Sequence, residues 1–418
     1  MMQKKTVKHV PMKQFPPVNG KIRISGMSIP ELWELSGRVP FYVYDRRVIR
    51  DKVNQFRAHI PDKIKLHYAI KANPLPVLVN YTSSLVDGLD VASLKELRVA
   101  LASGTTPENI SFAGPAKSRA DIAGAVAAGI IINAESETEL DRIRACAEAA
   151  GKTAKIAIRV NPDFELKASG MKMGGGPKQF GIDAERVADI VRNLDTEFLE
   201  FVGYHIFSGS QNLKPESIIE AHNNTFELAR RLVETSGRPI TKLNIGGGFG
   251  IPYFPGENYL DLAPVSENLS QLLQHYSELA ENTEIVIELG RYLVGESGLY
   301  ICQVTDKKVS RNHTYLMCDG GLHHHLSNSG NFGQVIRKNY PVTIESNNSE
   351  SGNGEPGEME TVTAVGPLCT PLDTLADKME LPKAEPGDFL VVFQSGAYGL
   401  SASPVDFLSH PHPVELFL

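Results

Sequence analysis

Several polar residues lie where short apolar runs of the sequence end. Lys71 follows the run "KLHYAI" and precedes Asn73-Pro74, a turn signal. Asp90 lies at the end of "GLD", and Arg159 lies within "AKIAIRV". A lysine at a strand end usually extends its ammonium into water. The alternative is a desolvated amine that attacks an aldehyde as a Schiff-base lysine.

Two further runs carry groups suited to a flat, phosphorylated ligand. "GYHIFSG" contains His205 and Ser208. "NIGGGFG" places Gly246, Gly247 and Gly248 directly after a strand, where glycines let backbone N–H groups approach a phosphate. Each feature also has an ordinary explanation, because the histidine could be a hydrogen-bonded core residue and the glycines a tight turn.

A carboxylate ends the last run of this kind. Glu288 closes "EIVIEL" and is followed by "GRY", so an ion pair with Arg291 would account for it. A lysine, a phosphate-binding loop, a flat ring and a carboxylate at one edge of a fold would together describe a site for pyridoxal phosphate.

The elements that would bring these residues together alternate along the chain. Eight β-rich runs are separated by stretches of helical periodicity, and Ser93–Glu96 and Ser136–Glu139 each have the pattern of a capping box after a strand. Eight strands alternating with helices predict a (β/α)8 TIM barrel, whose functional residues stand at the carboxyl ends of the strands. The runs are "IKLHYAI", "GLDVA", "NISFAG", "IIINA", "AKIAIRV", "FVGYHIF", "TKLNIGG" and "EIVIEL".

Beyond Glu288 the pattern becomes β runs with turn signals and little helix, which predicts an all-β C-terminal domain. We expect "RVPFYVYD" to pair with that domain, and "ESNNSESGNGEPGEME" to be a mobile loop because it is almost devoid of apolar residues. The predicted parts are a flexible tail (1–20), an N-terminal strand segment (21–45), the barrel (46–287) and the β domain (288–418) with its mobile loop (345–360).

Composition limits the possible partners. The 418 residues are 42% hydrophobic, with a formal net charge of -7, so nucleic acid and anionic membranes are not expected partners. The N-terminal stretch lacks an apolar signal-peptide core, and no later run reaches membrane-spanning length. Four widely spaced cysteines suit a reducing cytoplasm.

The adjacent His323, His324 and His325 would point to opposite faces of a strand, so no metal site is expected.

Six motifs resemble those of the fold-type III, pyridoxal-phosphate-dependent decarboxylases that act on diaminopimelate, ornithine and arginine. They are "YAIKAN", "GYHIFSGSQ", "NIGGGFG", "ELGRYLV", "GPLCTPLD" and "SGAYG", in the family's order. The resemblance spans nearly the whole chain and implies an alanine-racemase-type barrel followed by a β domain. "MGGGPKQFGID", "DGGLHHHL", "GPLCTPLD" and "GAYGLSASP" are most similar to decarboxylases associated with exosortase A gene systems and to the enzyme that decarboxylates a glutamyl group on an acyl carrier protein.

The resemblance implies roles for the cofactor-site residues. Lys71 would bind the cofactor covalently, and His205 would stack on its ring. Glu288 would face the pyridine nitrogen and keep it protonated, which makes the ring a strong electron sink. The other implied cofactor contacts are Asp90, Arg159, Ser208, Gly246, Gly247, Gly248, Gly290, Arg291 and Tyr398.

The resemblance also extends to the substrate side. Cys369 is the implied acid that protonates Cα after carbon dioxide leaves, although a small buried thiol is the simpler explanation for a lone cysteine. In the family this cysteine comes from the partner subunit, so a homodimer with shared active sites is implied. Asp319, Arg337 and Tyr340 match positions near the substrate, and such an arginine could bind a carboxylate through two hydrogen bonds.

One position departs from the family pattern. Diaminopimelate decarboxylases carry a glutamate directly after the cysteine and ornithine decarboxylases an aspartate, whereas this chain has Thr370. A distal ammonium of the substrate therefore loses its obvious partner. We expect decarboxylation of an α-amino acid or amino-acyl group that is carrier-tethered or otherwise extended, in a biosynthetic pathway.

Three alternatives remain. Diaminopimelate decarboxylation on the free amino acid is the nearest. An amino-acid racemase would pair the ring nitrogen with a cation, and Glu288 argues against it. A non-catalytic, cofactor-binding regulatory homologue should lack Lys71 or Cys369, and both are present.

Overall fold

The computed structural model describes residues 8–18, 21–166, 171–172, 174–334, 336–347 and 358–418. Over these residues the chain forms two compact units. The β unit comprises Met1–Ile49, Pro252–Tyr259 and Val294–Leu418, and the barrel unit comprises Arg50–Ile251 and Leu260–Leu293. The predicted boundaries after residues 45 and 287 differ from these by a few residues, and the sequence pattern did not indicate that Pro252–Tyr259 joins the β unit.

The N-terminal part of the β unit contains short elements. They are β1 (Arg23–Ile24), β2 (Met27–Ser28), α1 (Ile29–Leu35) and β3 (Phe41–Tyr44). Ser28 caps α1, because its backbone N–H donates to the Glu31 carboxylate at 2.7 Å and its hydroxyl accepts from the Glu31 N–H.

In the described part of the barrel unit, eight parallel strands close into a barrel in the order β8-β11-β13-β14-β4-β5-β6-β7, with β7 pairing back to β8. This confirms the predicted barrel, and each of its strands matches a predicted run. The strands of the unit are β4 (Ile64–Ala69), β5 (Gly88–Val91), β6 (Ile110–Phe112), β7 (Ile131–Ala134), β8 (Ala154–Asn161), β9 (Met171–Lys172), β10 (Ile182–Asp183), β11 (Leu199–Ile206), β12 (Gly209–Ser210), β13 (Lys242–Gly247) and β14 (Glu284–Leu289).

Helices follow most barrel strands, and three of these described helices begin at a serine side-chain cap. Ser93 and Ser136 each accept a hydrogen bond from a backbone N–H at 3.1 Å, as their sequences predicted. The glutamates of these two motifs instead reach one residue further back, where Glu96 accepts from the Ala92 N–H at 2.7 Å. The helices are α2 (Arg46–His59), α3 (Pro76–Ser83), α4 (Leu94–Ala102), α5 (Arg119–Ala128), α6 (Glu137–Ala150), α7 (Ala184–Arg192), α8 (Pro215–Ser236), α9 (Ala263–His275), α10 (Ser277–Glu281) and α11 (Arg291–Val294).

The β unit is built on a mostly antiparallel sheet of order β17-β20-β15-β16-β18-β19. β3 pairs with β15 and with β21, which brings the segment "FYVY" into this sheet. Its core includes Trp33, Phe41, Phe389 and Phe393. The strands are β15 (Gly298–Ser310), β16 (His313–Cys318), β17 (Val342–Glu345), β18 (Met359–Val365), β19 (Thr374–Pro382), β20 (Phe389–Val392) and β21 (Val414–Phe417).

Two predicted mobile regions need separate comment. Residues 8–18 are not the predicted flexible tail, because Phe15 is buried in the core of the β unit and His9 Nε2 lies 2.8 Å from the Asn339 carbonyl oxygen. The predicted loop 345–360 begins and ends in strand residues, and its central residues 348–357 lie outside the described residues. None of the described helices is long and apolar enough to cross a membrane.

Candidate active site

Lys71 stands at the carboxyl end of β4, in a 3₁₀ turn spanning Ile70–Ala72. Ile70 and Ala72 are buried, whereas the Lys71 side chain is exposed. Its Nζ lies 5.7 Å from the centre of the Phe207 ring. The turn is held by Tyr68, whose hydroxyl donates to the Asn73 carbonyl oxygen at 2.8 Å. The amine therefore projects from a fixed backbone on the rim of the barrel.

Glu288 and His205 meet at the ends of β14 and β11. His205 Nε2 lies 3.2 Å from Glu288 Oε2, and the Asn244 amide donates to the same oxygen at 3.0 Å. Burial alone would raise the pKa of the Glu288 carboxyl, but His205 and the cationic Lys71 and Arg159 lower it overall. Glu288 is thus a buried carboxylate that stays ionised.

Arg159 on β8 is buried and anchored by a residue that the sequence argument missed. Its Nη1 lies 3.0 Å from Glu135 Oε1, directly after β7, and its guanidinium stands 4.8 Å from the Phe180 ring centre. The Gly114 N–H also donates to Glu135, at 2.7 Å. Glu135 follows a strand end, so the strand-end rule that identified Lys71 would have found it.

Asp90 on β5 belongs to a buried polar chain that crosses neighbouring strands. His67 Nδ1 lies 3.3 Å from Asp90 Oδ1, and Ser111 donates to the same oxygen at 2.5 Å. The Asn133 amide in turn donates to Ser111 at 3.1 Å. His67, Ser111 and Asn133 were not predicted from the sequence. The available signal was a polar residue within an otherwise apolar strand.

The glycines of the rim allow backbone segments to approach closely. Gly246 and Gly248 have φ of 73° and 71°, which strongly favours glycine. A Cβ on Gly247 would lie 2.0 Å from the Glu288 carbonyl oxygen, and one on Gly290 would lie 2.9 Å from the Ala72 Cβ. The end of β14 therefore packs beside the Lys71 turn. Ser208 is buried just after β11, and Arg291 begins α11.

The β unit carries the other candidates. Asp319 is half-buried and accepts from the Gln303 N–H at 2.7 Å, and burial raises its pKa to about 6. Cys369 is exposed, which contradicts the packing explanation, and Thr370 is half-buried beside it. Tyr398 has φ of 52°, and its carbonyl oxygen accepts from Ser327 at 2.6 Å.

Arg337 and Tyr340 lie on one segment of the β unit. Arg337 is half-buried, and its Nη1 donates to the Ser329 carbonyl oxygen. Tyr340 is buried with its ring 4.6 Å from the Tyr253 ring. Both residues therefore have their described contacts within the β unit.

The histidine run is buried in the β unit. His324 Nδ1 lies 2.9 Å from the Tyr300 hydroxyl, and His325 Nε2 lies 3.0 Å from Ser395 Oγ. Burial lowers the pKa of His323 and His325 to about 3. In the described part of the chain, no group of three or more His, Cys, Asp or Glu side chains could hold a metal ion.

Comparison with known proteins identifies the family. Residues 46–295 match the description "Pyridoxal-dependent decarboxylase, pyridoxal binding domain". The chain belongs to this decarboxylase family. It is 40% identical over 382 residues to the L-glutamyl-[BtrI acyl-carrier protein] decarboxylase of Niallia circulans, covering 90% of this chain and 88% of that protein.

Free amino acid decarboxylases are also similar. Diaminopimelate decarboxylase of Aquifex aeolicus is 34% identical, covering 92% of this chain and 88% of that protein. The crystal structure of diaminopimelate decarboxylase from Helicobacter pylori complexed with L-lysine has a TM-score of 0.81 at 29% identity and covers 93% of both chains. This protein is therefore a pyridoxal-phosphate-dependent decarboxylase of amino acids, and it has the same fold as these structures.

The residues of the barrel rim fit pyridoxal phosphate. Among the described residues, His205 Nδ1 and Asp90 Oδ2 are buried without a hydrogen-bond partner, which leaves polar atoms available to a ligand. Gly246, Gly247 and Gly248 lie beside them at a strand end, where N–H groups can bind a phosphate. The ionised Glu288 suits a protonated ring nitrogen.

Proposed function

We propose that this decarboxylase acts on an amino-acyl group whose far end is neutral, anionic or covalently extended, presented on a carrier protein. The supporting observation is Thr370 beside the exposed Cys369, because a threonine offers no charge to a distal ammonium. An unpaired ammonium in such a pocket loses hydration at a cost of several kcal/mol. The similarity to a carrier-linked glutamyl decarboxylase supports the same substrate class.

We propose the following roles for the residues of the site. Pyridoxal phosphate, when bound, supplies the sink for the electron pair that carbon dioxide leaves behind. Lys71 would hold the cofactor through its side-chain amine. Glu288 would favour a proton on the ring nitrogen through its charge, His205 and Arg159 would orient the ring, and the glycine loop would bind the phosphate. Cys369 returns a proton to Cα.

We propose further that the enzyme is a homodimer in which Cys369 completes the partner's site. Leu372 and Phe332 are 58% and 46% exposed, and Asn331 links their loops by donating to the Leu372 carbonyl oxygen at 3.3 Å. Exposed apolar residues near an exposed thiol suit a subunit contact. Mixing Lys71→Ala and Cys369→Ala subunits should restore roughly one quarter of the native rate of amine product formation if sites are shared. No recovery would refute sharing.

We also propose a cytoplasmic location and a role linked to an exosortase A system. The first rests on free thiols at Cys302 and Cys318, which are buried side by side. The second rests on the motif resemblance alone. The genes that neighbour the coding sequence test it, and absence of exosortase genes would count against it.

The substrate proposal is tested by comparing kcat/KM for carrier-bound glutamyl, free glutamate, diaminopimelate, ornithine and lysine. We expect the carrier-bound group to be preferred, and we expect Thr370→Glu to gain activity on diamines. Efficient turnover of free diaminopimelate by the native enzyme would favour the second candidate, diaminopimelate decarboxylation. Asp319 is the observation behind that candidate, because it could pair with a distal ammonium.

A further inference from the structure

A groove in the β unit is lined by cationic side chains. Its volume is about 580 Å³, and Met359 and Met379 supply apolar lining. Its charged and titratable lining residues are Lys8, His9, Arg337, Lys338, Lys378 and Glu380. A cluster of this sign is unexpected in a chain with a formal net charge of -7.

The cations of the groove are not used in ion pairs. Lys8, Lys338 and Lys378 are exposed. Within the described residues, neither these three lysines nor Arg337 has a carboxylate within ion-pair distance. Lys338 Nζ lies 5.4 Å from the centre of the Phe254 ring. The lining holds four cationic side chains against one carboxylate, Glu380, and an external anion would relieve the repulsion among the cations.

The backbone under these side chains is held in place by hydrogen bonds. Asn339 donates through its amide to the Asp377 carbonyl oxygen at 2.8 Å and accepts from the Asp377 N–H at 2.9 Å. His9 Nε2 lies 2.8 Å from the Asn339 carbonyl oxygen, and the Gly256 N–H donates to the Lys8 carbonyl oxygen at 3.1 Å. The segments that carry the three lysines are therefore fixed relative to one another.

One residue that lines the groove is also a candidate for binding the substrate. Arg337 lines it, and Nε and Nη2 of its guanidinium are buried without a hydrogen-bond partner among the residues with described positions. Burial lowers the pKa of Arg337. The groove thus joins exposed surface cations to an arginine that the family resemblance associates with the substrate.

We propose that this groove is the docking site for the acidic face of the acyl carrier protein that delivers the substrate, an inference that rests on the proposed carrier-linked function. The cationic lining requires an acidic surface on the partner, since opposite potentials steer association. Lys338 and Lys378 are the exposed contacts, and Arg337 lines the same groove.

The test uses the intact enzyme with the glutamyl thioester of an acyl carrier protein and, as a short substrate, glutamyl-pantetheine. We expect Lys338→Glu/Lys378→Glu to raise KM for the carrier substrate by about tenfold with kcat unchanged. Turnover of the short substrate should not change. Lys308→Glu, an exposed lysine of the same unit on β15, makes the same charge change per site outside the groove and should have no effect.

The possible outcomes distinguish failure of the docking inference from failure of the proposed function. If the native enzyme prefers the carrier substrate and the double variant keeps that preference, the docking inference is overturned while the proposed function stands. If the native enzyme shows no preference for the carrier substrate, both fail. Should the double variant not fold, the salt dependence of native kcat/KM decides, because docking by charge must weaken as salt rises and docking without charge must not.

Discussion

Two side chains from different strands contact Glu288 Oε2. His205 Nε2 lies 3.2 Å from this oxygen, and the Asn244 amide donates to it at 3.0 Å. The His205 contact joins β11 to β14 across β13, which lies between them. A carboxylate buried this deeply remains ionised only because cations and donors surround it. The charge at the centre of the barrel rim is therefore a property of several strands acting together.

Glu288→Gln should leave the fold intact and slow decarboxylation by ~10²-fold or more, because the amide cannot hold a protonated ring nitrogen by charge. The rate of carbon dioxide release and the pH dependence of the cofactor absorbance measure this. Glu284→Gln is the matched control, since Glu284 begins the same strand and pairs with Lys242 at 2.7 Å at the opposite end of the barrel. Equal rates in both variants would contradict the role of Glu288.

Lys71 should be the residue that borohydride reduction links to the cofactor, because its amine stands on the rim beside the glycine loop. Mass spectrometry of the reduced protein locates the adduct. Lys71→Ala should be colourless, whereas Lys95→Ala, an exposed lysine on α4, should keep the native absorbance. An adduct on a different lysine would remove Lys71 from the mechanism.

Cys369→Ala should still release carbon dioxide but misdirect the proton, so that decarboxylation-dependent transamination rises. The ratio of amine to transamination product measures the partition. Cys146→Ala, a half-buried cysteine of the barrel unit, should not alter it. An unchanged rate and product ratio in Cys369→Ala would show that the thiol does not donate the proton.

Removing the Glu135 carboxylate should destabilise the barrel, because Arg159 would remain buried without its partner. Loss of one member of a buried pair costs about 3–5 kcal/mol. Urea unfolding of Glu135→Gln measures the free energy of unfolding. Glu137→Gln is the control, since Glu137 pairs with Arg186 on the surface, where such pairs contribute about 0–1 kcal/mol.

His222 should make the fold sensitive to acid. The side chain is buried in α8, both ring nitrogens lack a hydrogen-bond partner in the described structure, and burial lowers its pKa from 6.5 to about 4. Between these values the unfolded chain binds more protons than the folded one. Stability is therefore fully present above pH 6.5 and declines as the pH falls toward 4, by roughly 3 kcal/mol.

Unfolding of His222→Leu at pH 7 and pH 5 tests this effect. The variant should lose less stability on acidification than the native enzyme, whereas His59→Leu, an exposed histidine on α2, should behave like the native enzyme. An identical acid response in native enzyme and His222→Leu would assign the sensitivity to other groups.

The strand-end positions of Lys71, Glu288 and the glycine loop were readable from the sequence alone. Alternating strands and helices determine a parallel barrel, and parallel strands necessarily place their carboxyl ends on one rim. A residue that directly follows an apolar run is therefore assigned to the rim without coordinates. For the β unit, the sequence predicts only the all-β class of fold, because the turn signals do not specify which strands pair.

The contacts between rim residues depended on the tertiary structure. Arg159 meets Glu135, and His67 meets Asp90, across strands whose register follows from packing rather than from local sequence. Phe15 lies in a stretch with the composition of a loose tail, yet the core of the β unit buries it. Cys369 is exposed although a lone cysteine is most often buried. Residue type and spacing determine which groups can react, whereas exposure and pairing depend on the chain segments that pack around them.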